Sequence, residues 1–254
     1  MSNVLITGGT SGIGRGLAER YLAEGNAVMI TGRDPQRLRD TATALPGLMT
    51  SVCDIGKPGD REKLARDVET SMPELHVAIN NAGIQRRISL AADTAPWSER
   101  QAEIDILLSG PIHLNYLLIP IMLRHGQTAR IVNVTSGGAI IPQVFAPVYS
   151  ACKAALHSYT LTLRHALRGT GVRVVEVMPP AVQTALVGAG QAHGAPLGEF
   201  CDTVYAALKG DGETIGFGPT EAPEFKRLLA ESETLFQSRL TRFPVATYSE
   251  PNSR

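Results

Sequence analysis

Apolar and polar positions along the chain fall into two alternating patterns. Short β-branched or aliphatic runs predict strands: Val4 to Thr7, Ala27 to Thr31, Leu48 to Cys53, His76 to Asn80, Arg130 to Thr135 and Arg173 to Met178. Each is bounded by glycine or polar residues. Longer stretches with helical spacing lie between them: Gly12 to Ala23, a segment opening on Asp34-Pro35, Asp60 to Ser71, Trp97 to Leu108, Pro111 to Arg124 and Tyr149 to Arg168. Asp34 offers an N-cap oxygen, and Pro35 has a φ already suited to the first helical turn. Strands alternating with helices predict an α/β fold, a parallel sheet with helices on both faces. Right-handed crossovers make that sheet doubly wound, in three layers.

Neither a Pro/Gly/Ser-rich linker nor an internal repeat divides the chain, so residues 1–254 are expected to form a single domain. The stretch near 185–200 is rich in glycine and small residues, and it reads equally as a lid over a site or as a plain surface loop. The tail, 221–254, holds one amphipathic helix near Pro223 to Leu240.

Charge narrows the function classes. Lys and Arg number 24 against 24 Asp and Glu, a formal net charge of zero, which argues against nucleic-acid or anionic-membrane partners. With 43% hydrophobic and 19% charged residues the chain can bury a core. Cys53, Cys152 and Cys201 are odd in number and widely spaced, matching neither a disulfide framework nor a zinc site. The six histidines show no metal spacing, and no metal is expected. The apolar run around Leu117 to Leu123 contains Pro120 and stops at Arg124, short of the roughly 20 residues of a membrane span. No basic region precedes the first strand, so a soluble, cytoplasmic protein is expected.

The first strand runs into Thr7-Gly8-Gly9-Thr10-Ser11-Gly12-Ile13-Gly14, and a helix opens near Gly12. Glycines there bring backbone N–H groups close to a pyrophosphate, whose charge the helix N-terminus favours. The turn stands about 20 residues before the end of the second strand, where dinucleotide folds read the ribose. That strand ends Ile30-Thr31-Gly32-Arg33, without an acid for a free 2′-hydroxyl. A guanidinium at Arg33 suits a 2′-phosphate and favours NADP (NADPH) over NAD. Pairing of Arg33 with Asp34 or Asp60 is the alternative, and Arg15 is either added positive charge or a solvated helix residue.

Tyr149 and Lys153 stand at i and i+4, so a helix projects both from one face. A phenol with an unperturbed pKa of about 10 is a poor proton exchanger at neutral pH, and a neighbouring ammonium lowers that value. Ser136 follows the strand Ile131 to Thr135, at the sheet edge where open α/β folds bind ligands. Its hydroxyl can stabilise charge forming on a substrate oxygen. Alone, Ser136 reads as a strand-end serine satisfying a turn, and Tyr149 with Lys153 reads equally as a solvated helix face; taken together with the glycine turn and Asn80-Asn81-Ala82-Gly83, the catalytic candidates are Ser136, Tyr149 and Lys153.

The glycine turn, Asn80-Asn81-Ala82-Gly83, Ser136, and Tyr149-Ser150-Ala151-Cys152-Lys153 together resemble the motif set of the short-chain dehydrogenase/reductase family, in order and spacing over about residues 3 to 184. The resemblance implies a Rossmann-type domain, reversible hydride transfer between a nicotinamide cofactor and a small to medium carbonyl or secondary alcohol, and a homodimer or homotetramer. It implies cofactor contacts from Gly8, Thr10, Ser11, Gly12, Ile13, Gly14, Arg33, Asp54, Asn80, Ala82, Gly83, Tyr149, Lys153, Pro179, Val182 and Thr184. Asp54 would touch adenine, Asn80 with Ala82 and Gly83 would support the adenosine side and central strand, and Lys153 would bind the nicotinamide ribose. Val182 and Thr184 would hold the carboxamide.

Two positions depart from that pattern. Leu107 replaces an asparagine that in family members supports a relay water, and Pro179-Pro180 stands for Pro-Gly, removing an N–H. Leu107 motivates a rival from another class, a dinucleotide-binding regulatory or scaffold protein with little turnover. Gln85 to Arg87, Gly137 to Val144 and the 185–197 loop are the substrate-contact candidates, with Arg86, Arg87 and Gln143 as polar ones. His157 and His165 are expected at a surface or interface, and Trp97 as a packing or interface anchor.

Overall fold

The computed structural model describes residues 1–187 and 193–249. Seven parallel strands form one sheet in the order β3-β2-β1-β4-β5-β6-β7. In chain order the elements are β1 (Asn3–Ile6), α1 (Gly12–Ala23), β2 (Ala27–Gly32), α2 (Pro35–Ala44), β3 (Met49–Val52), α3 (Pro58–Ser71), β4 (Leu75–Asn80) and α4 (Trp97–Ile104). There follow α5 (Gly110–Arg124), β5 (Ala129–Val134), α6 (Pro147–Ala166), β6 (Val172–Val177), α7 (Leu197–Leu208), β7 (Thr214–Ile215) and α8 (Pro223–Arg242).

Side chains alternate across each strand and feed two cores. Val4 and Ile6 of β1 point into one, with Val28, Ile30, Val175 and Val177, under Leu17 of α1, Leu38 of α2 and Phe200 of α7. Leu5 points into the other, with Met29, Ile131 and Val174, under Leu64 of α3, Leu118 of α5 and Leu163 of α6. Strands buried on both faces explain why their sequences are nearly continuous in apolar residues. The strand order reverses between β1 and β4, and a crevice opens beyond their C-terminal ends, where such folds bind ligands.

Asp34 caps α2 as expected, accepting bonds from the Gln36 and Arg37 N–H groups at 2.8 and 3.3 Å. Three features differ from the sequence expectation. Helix α7 begins at Leu197, so the loop toward 200 ends at Pro196, and its residues 188–192 lie outside the described residues. Strand β7, two residues long, is too short to leave a period of its own. Helices α4 and α5 are not separated: a π-turn, Asp105–Ser109, joins them into one run, Trp97–Arg124. By length and composition that run is apolar enough to cross a membrane, and half of its most apolar window is buried in the fold. Trp97 packs little, at 64% exposed.

Candidate active site

The glycine turn is built by close approach. Gly8 has a φ of 67°, and a Cβ there would stand 2.8 Å from Ala82 Cα. At Gly14 a Cβ would meet Asn81 Nδ2 at 2.4 Å and the Gly8 carbonyl oxygen at 2.5 Å. Asn81 fills that space, its Nδ2 donating to the Thr7 and Gly8 carbonyls at 3.0 and 3.3 Å. Thr7 Oγ1 in turn accepts from the Asn81 and Ala82 N–H groups, both at 3.0 Å. The Asn81-Ala82-Gly83 segment therefore clamps the turn. Ser11 precedes α1 without a capping side-chain bond, and the first turn of α1 holds no acid, so its N–H groups face the crevice ready for an anion.

That crevice is a cavity of about 520 Å³. Its walls include Gly8, Thr10, Ser11, Gly12, Ile13, Arg33, Asp54, Ala82, Gly83, Ser136, Tyr149, Lys153, Pro179, Val182 and Thr184. Two of the expected cofactor residues stand elsewhere. Gly14 is packed behind the turn, and Asn80 is buried beneath the sheet edge, donating to Asn115 Oδ1 at 2.8 Å and Asn133 Oδ1 at 2.9 Å. Asn133 continues the chain to Thr160 Oγ1 at 2.9 Å, so Asn80 ties β4 and β5 to α5 and α6. Asn81, beside it, carries the part at the turn, a distinction that residue type alone does not show. Arg37 was missed too: it joins Arg33 on the wall one helical turn later. Among the described residues Arg33 pairs with neither Asp34 nor Asp60; Asp34 approaches Arg37 at 3.9 Å, and Asp60 accepts the Asp54 N–H at 2.8 Å. Arg15 pairs with Glu19 at 2.9 Å.

At the other end Ser136 leaves β5 with its Oγ accepting the Gly138 N–H at 3.0 Å. Tyr149 and Lys153 come from the first two turns of α6, with Lys153 Nζ 5.7 Å from the Tyr149 ring centroid. Lys153 donates to the Val134 carbonyl at 2.6 Å, which pins it under the strand end. Burial lowers the Lys153 ammonium to about 8, against the opposing charges of Cys152 and Glu176. Burial raises the Tyr149 phenol above its ordinary value, and the Ser136 hydrogen bond only partly offsets it. The expected lowering of Tyr149 by Lys153 does not appear: desolvation dominates, Ser136 supplies the opposing effect, and the phenol stays protonated at neutral pH.

Behind this trio stands a charged group that periodicity concealed. Glu176 of β6 is fully buried, accepts from Thr135 Oγ1 at 2.6 Å, and meets His157 Nδ1 at 2.9 and 3.0 Å. His157 is therefore an internal partner, not a surface group. Leu107 is 1% exposed and packs where a Cβ on Gly83 would stand 3.2 Å from it. A void of about 10 Å³ remains beside it, walled by Asn80, Thr7 and Lys153, close to the smallest volume that admits one water.

The short chain dehydrogenase family description matches residues 2–193. The chain belongs to this family of oxidoreductases. It is 44% identical to the uncharacterized oxidoreductase DltE of Bacillus subtilis over 185 residues, 73% of each chain. It is 34% identical to sulfoacetaldehyde reductase 2 of Chromohalobacter salexigens over 190 residues, 71% of this chain and 73% of the other. Among solved structures, a short-chain dehydrogenase from Sphingobium yanoikuyae in complex with NADPH superposes with a TM-score of 0.80 at 22% identity, covering 100% of both chains. A Burkholderia phymatum short chain dehydrogenase/reductase in complex with NAD gives 0.80 at 21%, covering 100% and 98%. These last two likenesses establish the Rossmann-like fold of the family.

Proposed function

We propose that this chain catalyses reversible hydride transfer between NADP and a small to medium carbonyl compound or secondary alcohol. The observation that carries the reading is the convergence of Ser136, Tyr149 and Lys153 on one cavity whose far end is the clamped glycine turn and uncapped α1 N-terminus. NADPH and NAD in the solved neighbours support a nicotinamide cofactor, and the sulfoacetaldehyde reductase among the relatives supports the reaction class. Arg33 and Arg37, both exposed on the cavity wall, support NADP, since guanidinium forks suit a 2′-phosphate.

When bound, the nicotinamide supplies or accepts the hydride. In reduction Tyr149, held protonated by burial, passes its proton to the substrate oxygen, while Ser136 donates a hydrogen bond to the same oxygen. Lys153, fixed on Val134 O, places positive charge beside Tyr149 and offers its remaining N–H groups to the ribose hydroxyls. In oxidation Tyr149 takes the proton back. The glycine turn and α1 receive the pyrophosphate, Asp54 the adenosine end, and Val182 with Thr184 the carboxamide. The proposal includes a soluble, cytoplasmic setting, supported by the half-burial of the Trp97–Arg124 run in the fold.

Side-by-side fluorescence titration with NADPH and NADH tests the cofactor, with tighter NADPH binding expected. Tyr149→Phe tests the chemistry: turnover should fall about 100-fold to 10,000-fold with NADPH binding kept. Unchanged turnover removes Tyr149 from its role, and binding of neither nucleotide removes the cofactor reading. Tight NADPH binding without turnover on a broad carbonyl panel would favour the rival scaffold reading, which Leu107 motivates.

A further inference from the structure

Two side-chain amides face each other at the substrate end of the cavity. Gln85, which follows the Asn81-Ala82-Gly83 clamp, and Gln143, on the loop from Ser136 to α6, both line its wall and are half-buried. Gln85 Nε2 donates to Gln143 Oε1 at 3.2 Å. An amide carries two donor hydrogens and an oxygen with two lone pairs, so this one bond satisfies only part of each. Among the described residues no other side-chain bond engages either amide, which leaves the Gln143 nitrogen and the Gln85 oxygen for a ligand. Exchanging O and N in both amides leaves the same pairing, one donor edge and one acceptor, with the two residues trading parts.

The pair is placed beside the chemistry and held there. A Cβ on Gly138 would stand 3.4 Å from Gln143 Cδ and 3.4 Å from Ser136 Oγ, so the amide and the catalytic hydroxyl border the same small residue. The Gln143 N–H donates to Ser150 Oγ at 3.0 Å, next to Tyr149, and the Gln143 carbonyl accepts the Ala146 N–H at 3.0 Å. Behind Gln85, the Arg86 N–H donates to buried Glu103 Oε1 at 3.0 Å, and the Arg86 side chain is held by Asp93 at 3.2 Å and Glu99 at 2.9 Å. The two segments are also tied to each other: the Ile88 N–H donates to the Phe145 carbonyl at 2.9 Å, and the Arg87 guanidinium lies 4.4 Å from the Phe145 ring centroid. Backbone fastened next to each glutamine fixes the pair before a substrate arrives, which lowers the ordering cost of binding.

We infer that Gln85 and Gln143 together recognise a hydroxyl group one or two carbons from the reacting carbonyl, so that the substrate class is a small hydroxy ketone or hydroxy aldehyde and, in the reverse direction, the matching diol. This rests on the proposed function of the same site. A hydroxyl both donates and accepts, and the pair presents one partner for each. A methyl group in its place leaves the half-buried amides against apolar carbon, a cost that an apolar wall would not impose. The closeness of Gln143 to Ser136 confines the second group to carbons near the carbonyl, since one small molecule must reach both. The second hydroxyl takes no part in the reaction: the carbonyl carbon gains the hydride, its oxygen gains the proton from Tyr149, and the hydroxyl is only held.

The test compares NADPH-dependent reduction of 1-hydroxypropan-2-one with butan-2-one, and of 4-hydroxybutan-2-one with pentan-2-one, pairs in which a hydroxyl replaces a methyl group of similar size. Wild type, Gln143→Leu and Gln85→Leu are read as the ratio of kcat/KM within each pair, so the intrinsic reactivity of each ketone cancels between variants. Wild type should favour the hydroxylated member of at least one pair. Gln143→Leu should lower that ratio by about tenfold or more, the factor one hydrogen bond supplies when its loss leaves a partner unpaired, and Gln85→Leu should lower it by less. Gln143→Met, similar in shape, replaces Gln143→Leu if the latter does not fold. The pair with the larger drop tells which carbon carries the hydroxyl. A ratio unmoved by the Gln143 variant, or no preference by wild type in either pair, overturns the inference. Turnover of none of the four ketones with NADPH bound overturns the proposed function instead. Saturation-transfer NMR on the NADP⁺-loaded enzyme with propane-1,2-diol and butan-2-ol then still decides the pair: tighter binding of the diol by wild type that is lost in the Gln143 variant supports it, and equal binding of the two, or none, overturns it.

Discussion

Lys153 is pulled in two directions by its surroundings, and the balance sets a pH dependence. Burial lowers its ammonium to about 8 while Cys152 and Glu176 act to keep it charged, and Tyr149 is raised above its ordinary value. Reduction needs a protonated phenol and a charged lysine. The phenol remains protonated well past neutrality, so Lys153 is the group that titrates first. Its charge is near complete a unit or more below about 8 and is lost as pH rises through that value. The kcat/KM for NADPH-dependent reduction is therefore expected to be flat at neutral pH and to fall above about 8. A profile flat to pH 10 would show that the ammonium is not needed.

Three elements meet at Glu176, and their joint is expected to be stiff. It fastens the end of β6 to Thr135 at the end of β5 and to His157 on α6, one turn beyond Lys153. Ser136 follows Thr135 directly, so the same joint holds both walls of the trio. Replacing Glu176 by Leu leaves the buried Thr135 and His157 groups without this acceptor. The expected cost is about 3 kcal/mol of unfolding free energy by urea titration. Glu176→Gln, which keeps an acceptor, should lose less than Glu176→Leu. Equal stability of wild type and Glu176→Leu would remove the joint from the account. At the π-turn between α4 and α5, Leu107 brings apolar packing against Gly83 without a polar group, so any proton path past it depends on Lys153, Thr7 and Asn80.

Across the whole fold, one surface stands out. The Trp97–Arg124 run covers the sheet with one side and leaves Trp97 and Tyr116 at 64% and 69% exposed on the other. Family resemblance implies that such helices pair across a two-fold axis, and an isologous contact would cover both aromatic side chains. Light scattering after size exclusion is expected to give two or four times the mass of one chain. A single-chain mass at micromolar concentration would overturn that expectation.

Much of this architecture is written locally. Runs such as Val172 to Val177 are legible as strands because burial on both faces demands apolar residues in succession, and Asp34-Pro35 marks α2 because a cap acts on its own next residues. Tyr149 and Lys153 are legible as a pair because helical geometry fixes i and i+4 on one face. What lies outside local periodicity needed the folded chain. Residue type alone does not tell Asn80 from Asn81 or Arg86 from Arg87, since each pair is chemically alike and is separated by partners from 7 to 74 residues distant. Glu176 and His157 meet from a strand and a helix 19 residues apart, and Lys153 ends with a lowered value because packing, not sequence spacing, sets how much water it keeps. Backbone hydrogen bonding and alternating burial are decided residue by residue; desolvation and long-range pairing are decided only once the sheet and its helices have closed around the site.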